Sequence, residues 1–161
     1  MTNQKIYFMQ HGLAVDKAMD PERPLSETGI QQTEMMADAL RNSETQISSV
    51  FHSGKLRASQ TADIITTISE ISPASVINGL SPNDDATLLA QNLNIDDALY
   101  VGHLPHLDKM VSYLVTGNRL DSIIKFQNSA ILCLENNEDR YHILWYLTHD
   151  LLNNSLTDDQ I

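Results

Sequence analysis

The chain has 161 residues, with 10 lysines and arginines against 21 aspartates and glutamates, for a formal net charge of −11. Its 42 % hydrophobic and 19 % charged composition fits one folded domain, assigned to residues 1–150 with a polar tail over residues 151–161, and excludes disorder as the main state. Residues 81–161 hold twelve acids against four bases, and a chain this acidic excludes nucleic acid and anionic membranes as partners, because both demand clustered cations.

The elements alternate. Lys5-Ile6-Tyr7-Phe8-Met9 is a short, mostly apolar run that reads as a buried strand, ending at Gln10-His11-Gly12. Residues 13–25 have no period and contain Pro21 and Pro24, so a loop is expected. Ser26 reads as an N-cap and Glu27 suits the positive end of a helix over Glu27–Arg41, with Ile30, Thr33, Met36, Ala37 and Leu40 on one face. Ile47–His52 is the second strand, broken by Ser53-Gly54. A helix over Leu56–Ile68 follows, with Leu56, Ala58, Ala62, Ile65 and Ile68 available for burial. Val76-Ile77 is a weak strand.

Ser81-Pro82-Asn83-Asp84 has the chemistry of a helix start, and the helix it opens would carry Leu88, Leu89 and Leu93. Ala98–Gly102 is an apolar strand ending at His103. Pro105 opens a helix whose Leu107, Met110, Val111, Leu114 and Val115 recur at i, i+3, i+4, i+7 and i+8, with Gly117 as its C-cap. Ser129–Leu134 and Tyr141–Leu147 flank the polar run Glu135-Asn136-Asn137-Glu138-Asp139, a hairpin pattern. Residues 148–161 are polar and expected to fray, although Leu151, Leu152 and Leu156 are available to pack. The order predicts an α/β three-layer sandwich: a mostly parallel central sheet, helices on both faces and a C-terminal antiparallel hairpin.

Cys133 is the one cysteine, which excludes a disulfide framework and a thiolate metal site; in its presumed strand it can face either side of the sheet, and its default role is packing. No apolar run reaches the ~20 residues that cross a bilayer, and no basic segment followed by an apolar one opens the chain, so a cytoplasmic location is expected. P-loop and GxGxxG signatures are absent.

Ligands of open α/β sheets bind at the carboxyl ends of strands. Three such ends carry chemistry here: His11, the Ser53–Arg57 segment, and His103. Converged, two imidazoles and a guanidinium beside helix N-termini suit phosphoryl transfer. A neutral imidazole attacks phosphorus, arginine matches the oxygens bidentately, and a second histidine balances their charge. Taken singly, each residue has an ordinary alternative. A strand-end histidine can be structural, and Arg57 can be a surface residue paired with Asp63 or Glu70. His103-x-x-His106 supplies two imidazoles, but no third ligand stands at a familiar spacing, so no metal is expected. His52, His142 and His149 carry no motif. The acidic pairs Asp84-Asp85, Asp96-Asp97 and Asp158-Asp159 read as solvated faces and caps.

Four motifs in order resemble the histidine phosphatase, or phosphoglycerate mutase-like, superfamily, and within it the short SixA-type phosphohistidine phosphatases. Ile6–Gly12 resembles the family's strand followed by Arg-His-Gly. Arg23-Pro24-Leu25-Ser26 with Gly29 resembles Arg-Pro-Leu-Thr/Ser…Gly. Ser53–Ala62 resembles Ser-Pro-x-x-Arg-Ala-x-Gln-Thr, and Gly102-His103-Leu104-Pro105 resembles Gly-His-x-Pro. The resemblance implies His11 as nucleophile, with Arg57 and His103 completing the catalytic set. It also implies that Gln10, Arg23, Arg57 and His103 bind phosphate, and that no cofactor is needed. The implied partners are a histidine-phosphorylated protein such as a phosphotransfer domain, and inorganic phosphate or a similar anion in the pocket.

Two positions depart from the pattern. Gln10 replaces the arginine beside the nucleophile. A lost charged hydrogen bond costs ~1.5–3 kcal/mol, or about 10- to 100-fold in rate if it belongs to the transition state. Gly54 replaces a proline and removes no chemical group. No carboxylate fills a general-acid role convincingly, Asp16 being the candidate. That gap suits a phosphoramidate, whose imidazole leaving group departs readily once protonated. Two alternatives stand beside a phosphohistidine phosphatase: a phosphatase for another phosphomonoester or phosphoanhydride, and a catalytically impaired phosphate- or phosphoprotein-binding protein in which Gln10 has removed turnover.

Overall fold

The computed structural model describes residues 3–156, so residues 157–161 of the expected tail lie outside the described residues. Six strands form one sheet: β1 (Gln4–Gln10), β2 (Ser49–His52), β3 (Ser75–Val76), β4 (Ala98–Gly102), β5 (Ile131–Asn137) and β6 (Arg140–Leu147). Their order is β3-β2-β4-β1-β5-β6. The pairs β3-β2, β2-β4 and β4-β1 are parallel, and β1-β5 and β5-β6 are antiparallel. The chain is the expected sandwich with a C-terminal hairpin.

Alternation along the strands divides the core. Ile6 and Phe8 of β1, Ala98 and Tyr100 of β4, and Leu132 and Leu134 of β5 face one side, where α3 (Ala86–Ala90) and α4 (His106–Thr116) cover them. Phe8, Tyr100 and Phe51 stack in a row there, with ring centroids 5.7 and 5.4 Å apart. Tyr7, Met9, Leu99, Val101, Ile131 and Cys133 face the other side, beneath α1 (Glu27–Arg41) and α2 (Leu56–Ile68). Cys133 therefore packs among apolar side chains, and burial pushes its thiol up to about 11. In α4, Leu107, Met110 and Val111 are wholly buried, each worth roughly 1.5–3 kcal/mol in apolar transfer.

Several expectations are corrected. In α1 the buried face is Gly29, Thr33, Met36, Ala37 and Leu40, while Ile30 is exposed, because the helix approaches the preceding loop so closely that only glycine fits against it. A Cβ on Gly29 would stand 2.1 Å from the Leu13 carbonyl oxygen. Leu56 is likewise exposed at the open end of α2. Ser81–Asp84 does not start a helix. Asp84 Oδ2 accepts from the Ser81 amide at 2.9 Å and closes a turn, and Asp85 is the N-cap of a shorter α3 that ends before the buried Leu93.

β2 begins at Ser49 rather than Ile47, and β3 is Ser75–Val76. The hairpin strands are longer than expected, and only Glu138-Asp139, both at positive φ, form the turn. Residues His149–Leu156 form a helix, α5, rather than frayed chain, and Leu152 packs on the α1–α2 side of the core. Among the described residues no helix is long and apolar enough to cross a membrane.

Candidate active site

Three adjacent parallel strands, β2, β4 and β1, end side by side. The residues just past their carboxyl ends are Ser53, His103 and His11. The ladder continues one step beyond β1, since the His11 amide donates to the Gly102 carbonyl at 3.0 Å. The two rings therefore stand together, centroids 5.0 Å apart. Both are buried, His11 at 8 % exposure and His103 at 1 %.

His11 is oriented from both ends. Its Nδ1 lies 2.7 Å from the Gly12 carbonyl oxygen, an acceptor only, so the proton sits on Nδ1. Nε2 then carries the lone pair, and Arg57 Nε donates to it at 3.2 Å. The two contacts agree on one tautomer, the one a nucleophilic Nε2 requires. Arg57 is thus not a surface residue paired with Asp63 or Glu70.

The loop below the ring is fixed by groups distant in sequence. The Gly12 amide donates to Thr61 Oγ1 at 2.9 Å, and that hydroxyl donates to the Arg57 carbonyl at 2.7 Å. Asn128 Nδ2 donates to the His11 carbonyl at 3.0 Å. Thr33 Oγ1 and Ser129 Oγ lie 2.9 Å apart in the buried layer between α1 and β5.

His103 Nε2 is 2.5 Å from Ser53 Oγ, while its Nδ1 is buried with no partner. Ser53 was part of a motif in the sequence, yet nothing there signalled this contact. Gly54, the departure from proline, has φ +90°, a left-handed conformation that proline's ring forbids. The turn from β2 into α2 therefore takes a path that the glycine makes possible.

The loop over residues 13–25 is ordered by its own contacts. Val15 donates to the Pro24 carbonyl at 2.9 Å, Ser26 donates to the Leu13 carbonyl at 2.9 Å, and Leu25 donates to Gln60 Oε1 at 2.8 Å. Ser26 caps α1 as expected, its Oγ accepting from the Gly29 amide at 3.0 Å. Arg23 sits at φ 51°, an unusual conformation for a side-chain-bearing residue, held by its backbone amide donating to the Asp20 carbonyl and by Nε donating to the Val15 carbonyl.

Asp16 lies in an exposed turn of the same loop, where Oδ1 accepts from the Ala18 amide at 2.8 Å. No hydrogen bond ties Asp16 to His11, Arg57 or His103. Gln10 is half-buried at the end of β1. Its Oε1 is buried without a partner, and no side-chain hydrogen bond anchors its amide nitrogen.

The electrostatics are one-sided. Burial is the main cause that pushes His11 down to about 4; the Gly12 hydrogen bond opposes this, and Arg57 and Arg23 add to it. His103 is pushed down to about 3, by burial first and then by the neighbouring His11, Arg57, Lys55 and His106. Arg57 is lowered by burial and by Arg23, yet a guanidinium stays charged. Every charged group acting on the two site imidazoles is a base, in a chain whose net charge is −11. At neutral pH both imidazoles are uncharged, which leaves His11 with its lone pair. The pocket is neutral at its floor, cationic at its walls, and suited to an oxyanion. His106, the second imidazole of His103-x-x-His106, is buried in the first turn of α4. Among the described residues no group of three or more His, Cys, Asp or Glu is placed to hold a metal ion.

Comparison with known proteins bears on this geometry. Residues 6–80 match the family model described as histidine phosphatase superfamily (branch 1). The chain is 31 % identical over 121 residues to phosphohistidine phosphatase SixA of Escherichia coli, an alignment covering 70 % of this chain and 75 % of that protein. It superposes on a solved structure of the protein histidine phosphatase SixA complexed with tungstate with a TM-score of 0.81 at 28 % identity, covering 92 % of this chain and 99 % of that one. A phosphoserine phosphatase from Entamoeba histolytica shares the fold with a TM-score of 0.70 at 14 % identity, covering 89 % and 96 % of the two chains.

Proposed function

The chain belongs to the histidine phosphatase superfamily, and from that membership we propose that it hydrolyses the N–P bond of a protein phosphohistidine through a covalent phospho-His11 intermediate. The observation that carries the proposal is the state of His11. Nδ1–H is committed to the Gly12 carbonyl at 2.7 Å, so Nε2 presents its lone pair beside Arg57 and within one ring's distance of His103.

In the first step a bond forms between His11 Nε2 and phosphorus. The substrate's phosphohistidine ring carries a proton on its other nitrogen, so when the N–P bond breaks the electron pair stays on the ring and a neutral imidazole departs. In the second step water attacks the phosphorus of phospho-His11, the Nε2–P bond breaks, and inorganic phosphate leaves with the lone pair restored to His11. Arg57 turns from Nε2 to the phosphoryl oxygens, and Arg23 and the Gln10 amide add donors. His103 exchanges Ser53 for a phosphoryl oxygen. Metaphosphate-like charge spreads over these oxygens in the transition state, so such donors act mainly by position and charge.

The substrate class rests on the leaving group. An alkoxide needs a strong general acid, and Asp16 is turned into its own loop. A phosphohistidine ring protonated on its other nitrogen leaves without one, as a neutral imidazole whose conjugate acid has a pKa near ~6.5. SixA of Escherichia coli carries the same activity in its name, which supports this substrate class.

The test is phosphate release from a histidine-phosphorylated phosphotransfer domain, run beside p-nitrophenyl phosphate and a phosphoserine peptide, with wild type, His11→Ala and Gln10→Arg. Release from the phosphohistidine protein by wild type and none by His11→Ala is expected. Preference for the phosphoserine peptide would move the protein to the phosphomonoesterases. Turnover by Gln10→Arg alone would make the native chain a binding protein.

A further inference from the structure

We propose that the Lys55 ammonium is a third cation of the phosphate pocket, closing over the bound phosphoryl group. This rests on the reading of the pocket as a phosphoryl site. Lys55 occupies the N-cap of α2, makes no side-chain capping bond and is exposed. A cation at the positive end of a helix is disfavoured unless an anion sits there. None of the ion pairs among the described residues involves Lys55.

Its backbone belongs to the site. The Lys55 amide donates to Ser53 Oγ at 3.3 Å, the same hydroxyl that meets His103 Nε2, and two residues later Arg57 reaches His11. Lys55 is also one of the charges felt by the His103 ring. A phosphoryl dianion with three peripheral oxygens has more acceptor sites than the forked donors of Arg57 can fill, and Gln10 brings no charge. An ammonium on a flexible stem supplies the missing charge without a fixed geometry.

The experiment measures tungstate affinity by calorimetry, and kcat and KM on the phosphohistidine protein, for wild type, Lys55→Gln, Lys55→Arg and the double variant Lys55→Gln/Gln10→Arg. Lys55→Gln should weaken tungstate about tenfold, the loss expected of one charge-assisted contact, and make the affinity less salt-dependent. Lys55→Arg should recover most of it, and so should the double variant, which returns a charge at position 10. Thermal stability should stay level or rise, since a cation leaves a helix N-terminus. Tungstate affinity and kcat/KM within twofold of wild type for Lys55→Gln would overturn the proposal. Tungstate binding is read independently of turnover, so an inactive wild type that binds tungstate would defeat the enzymatic reading while still testing Lys55.

Discussion

Binding of a doubly charged oxyanion should draw a proton onto His103. In the empty pocket that imidazole is held down to about 3, so it is neutral at pH 6.5. An oxyanion between Arg57 and His103 would stand roughly 4 Å from the ring, where two unit charges interact by about 4 kcal/mol at an effective dielectric constant of about 20. At ~1.4 kcal/mol per pK unit, that is about three units for each negative charge. Starting from about 3, the bound value falls between roughly 6 for one effective charge and roughly 9 for two. Tungstate binding at pH 6.5 should then take up between about a quarter of a proton and a whole one.

The assay is calorimetry of tungstate binding in two buffers of matched pH and different ionisation enthalpy, with His103→Gln as the control. Uptake that disappears in His103→Gln is the expected outcome. Identical heats in the two buffers for wild type would refute the reasoning, because His103 would then remain neutral in the complex and contribute no charge to the phosphoryl oxygens.

Other consequences follow from the same geometry. Thr61→Val leaves the buried Gly12 amide without its acceptor; it should cost about 1–3 kcal/mol in urea unfolding and lower kcat by loosening the carbonyl that orients His11, while Thr61→Ser should retain both. Gly29→Ala brings a Cβ to 2.1 Å from the Leu13 carbonyl oxygen; it should destabilise by about 2–3 kcal/mol or more and weaken anion binding through the displaced Arg23 loop, as denaturation and tungstate titration would reveal. The lowered values of His11 and His103, about 4 and about 3, also fix the sign of an acid dependence. The unfolded chain binds protons below ~6.5 while the folded chain does not, so stability falls as pH drops from ~6.5 toward 4. The two groups together should cost about 2–4 kcal/mol between pH 7 and pH 5, and His11→Gln/His103→Gln should flatten that slope; equal slopes in variant and wild type would contradict it.

Where the pattern is local, the sequence reads well. β1 over Ile6–Met9 and β4 are buried on both faces, so Ile6–Met9 and Ala98–Gly102 show as unbroken apolar runs, and α4 shows its stripe because one face alone is buried. Competing local chemistry misleads. Ser81-Pro82-Asn83-Asp84 satisfies a helix start and a turn equally, and the hydrogen bond from the Ser81 amide to Asp84 decides for the turn. α5 is hidden by its polar composition, in which a packed leucine such as Leu152 says little. Ile30 looked inward by periodicity, yet at the first turn of α1 it is Gly29 that packs against the loop, at Leu13.

The strand-end histidines and Arg57 were visible as residue types at element ends, and the motifs put them in order. Their supports were not visible. Ser53 and His103 are 50 positions apart, Gly12 and Thr61 are 49 apart, and His11 and Asn128 are 117 apart. Only the strand order β2-β4-β1-β5 brings these pairs together. Polar residues of this kind look like any loop or helix-face residue until the topology assigns them a partner.

The central claim is that His11 becomes the covalent carrier of the phosphoryl group. Rapid mixing with a histidine-phosphorylated protein, quenching in alkali and peptide mass spectrometry would test it most directly. An acid-labile, alkali-stable phosphate on the peptide containing His11, formed and lost within one turnover and absent in His11→Ala, is the predicted result. Phosphate released with no modification of His11 at any time, or carried on His103 instead, would contradict it.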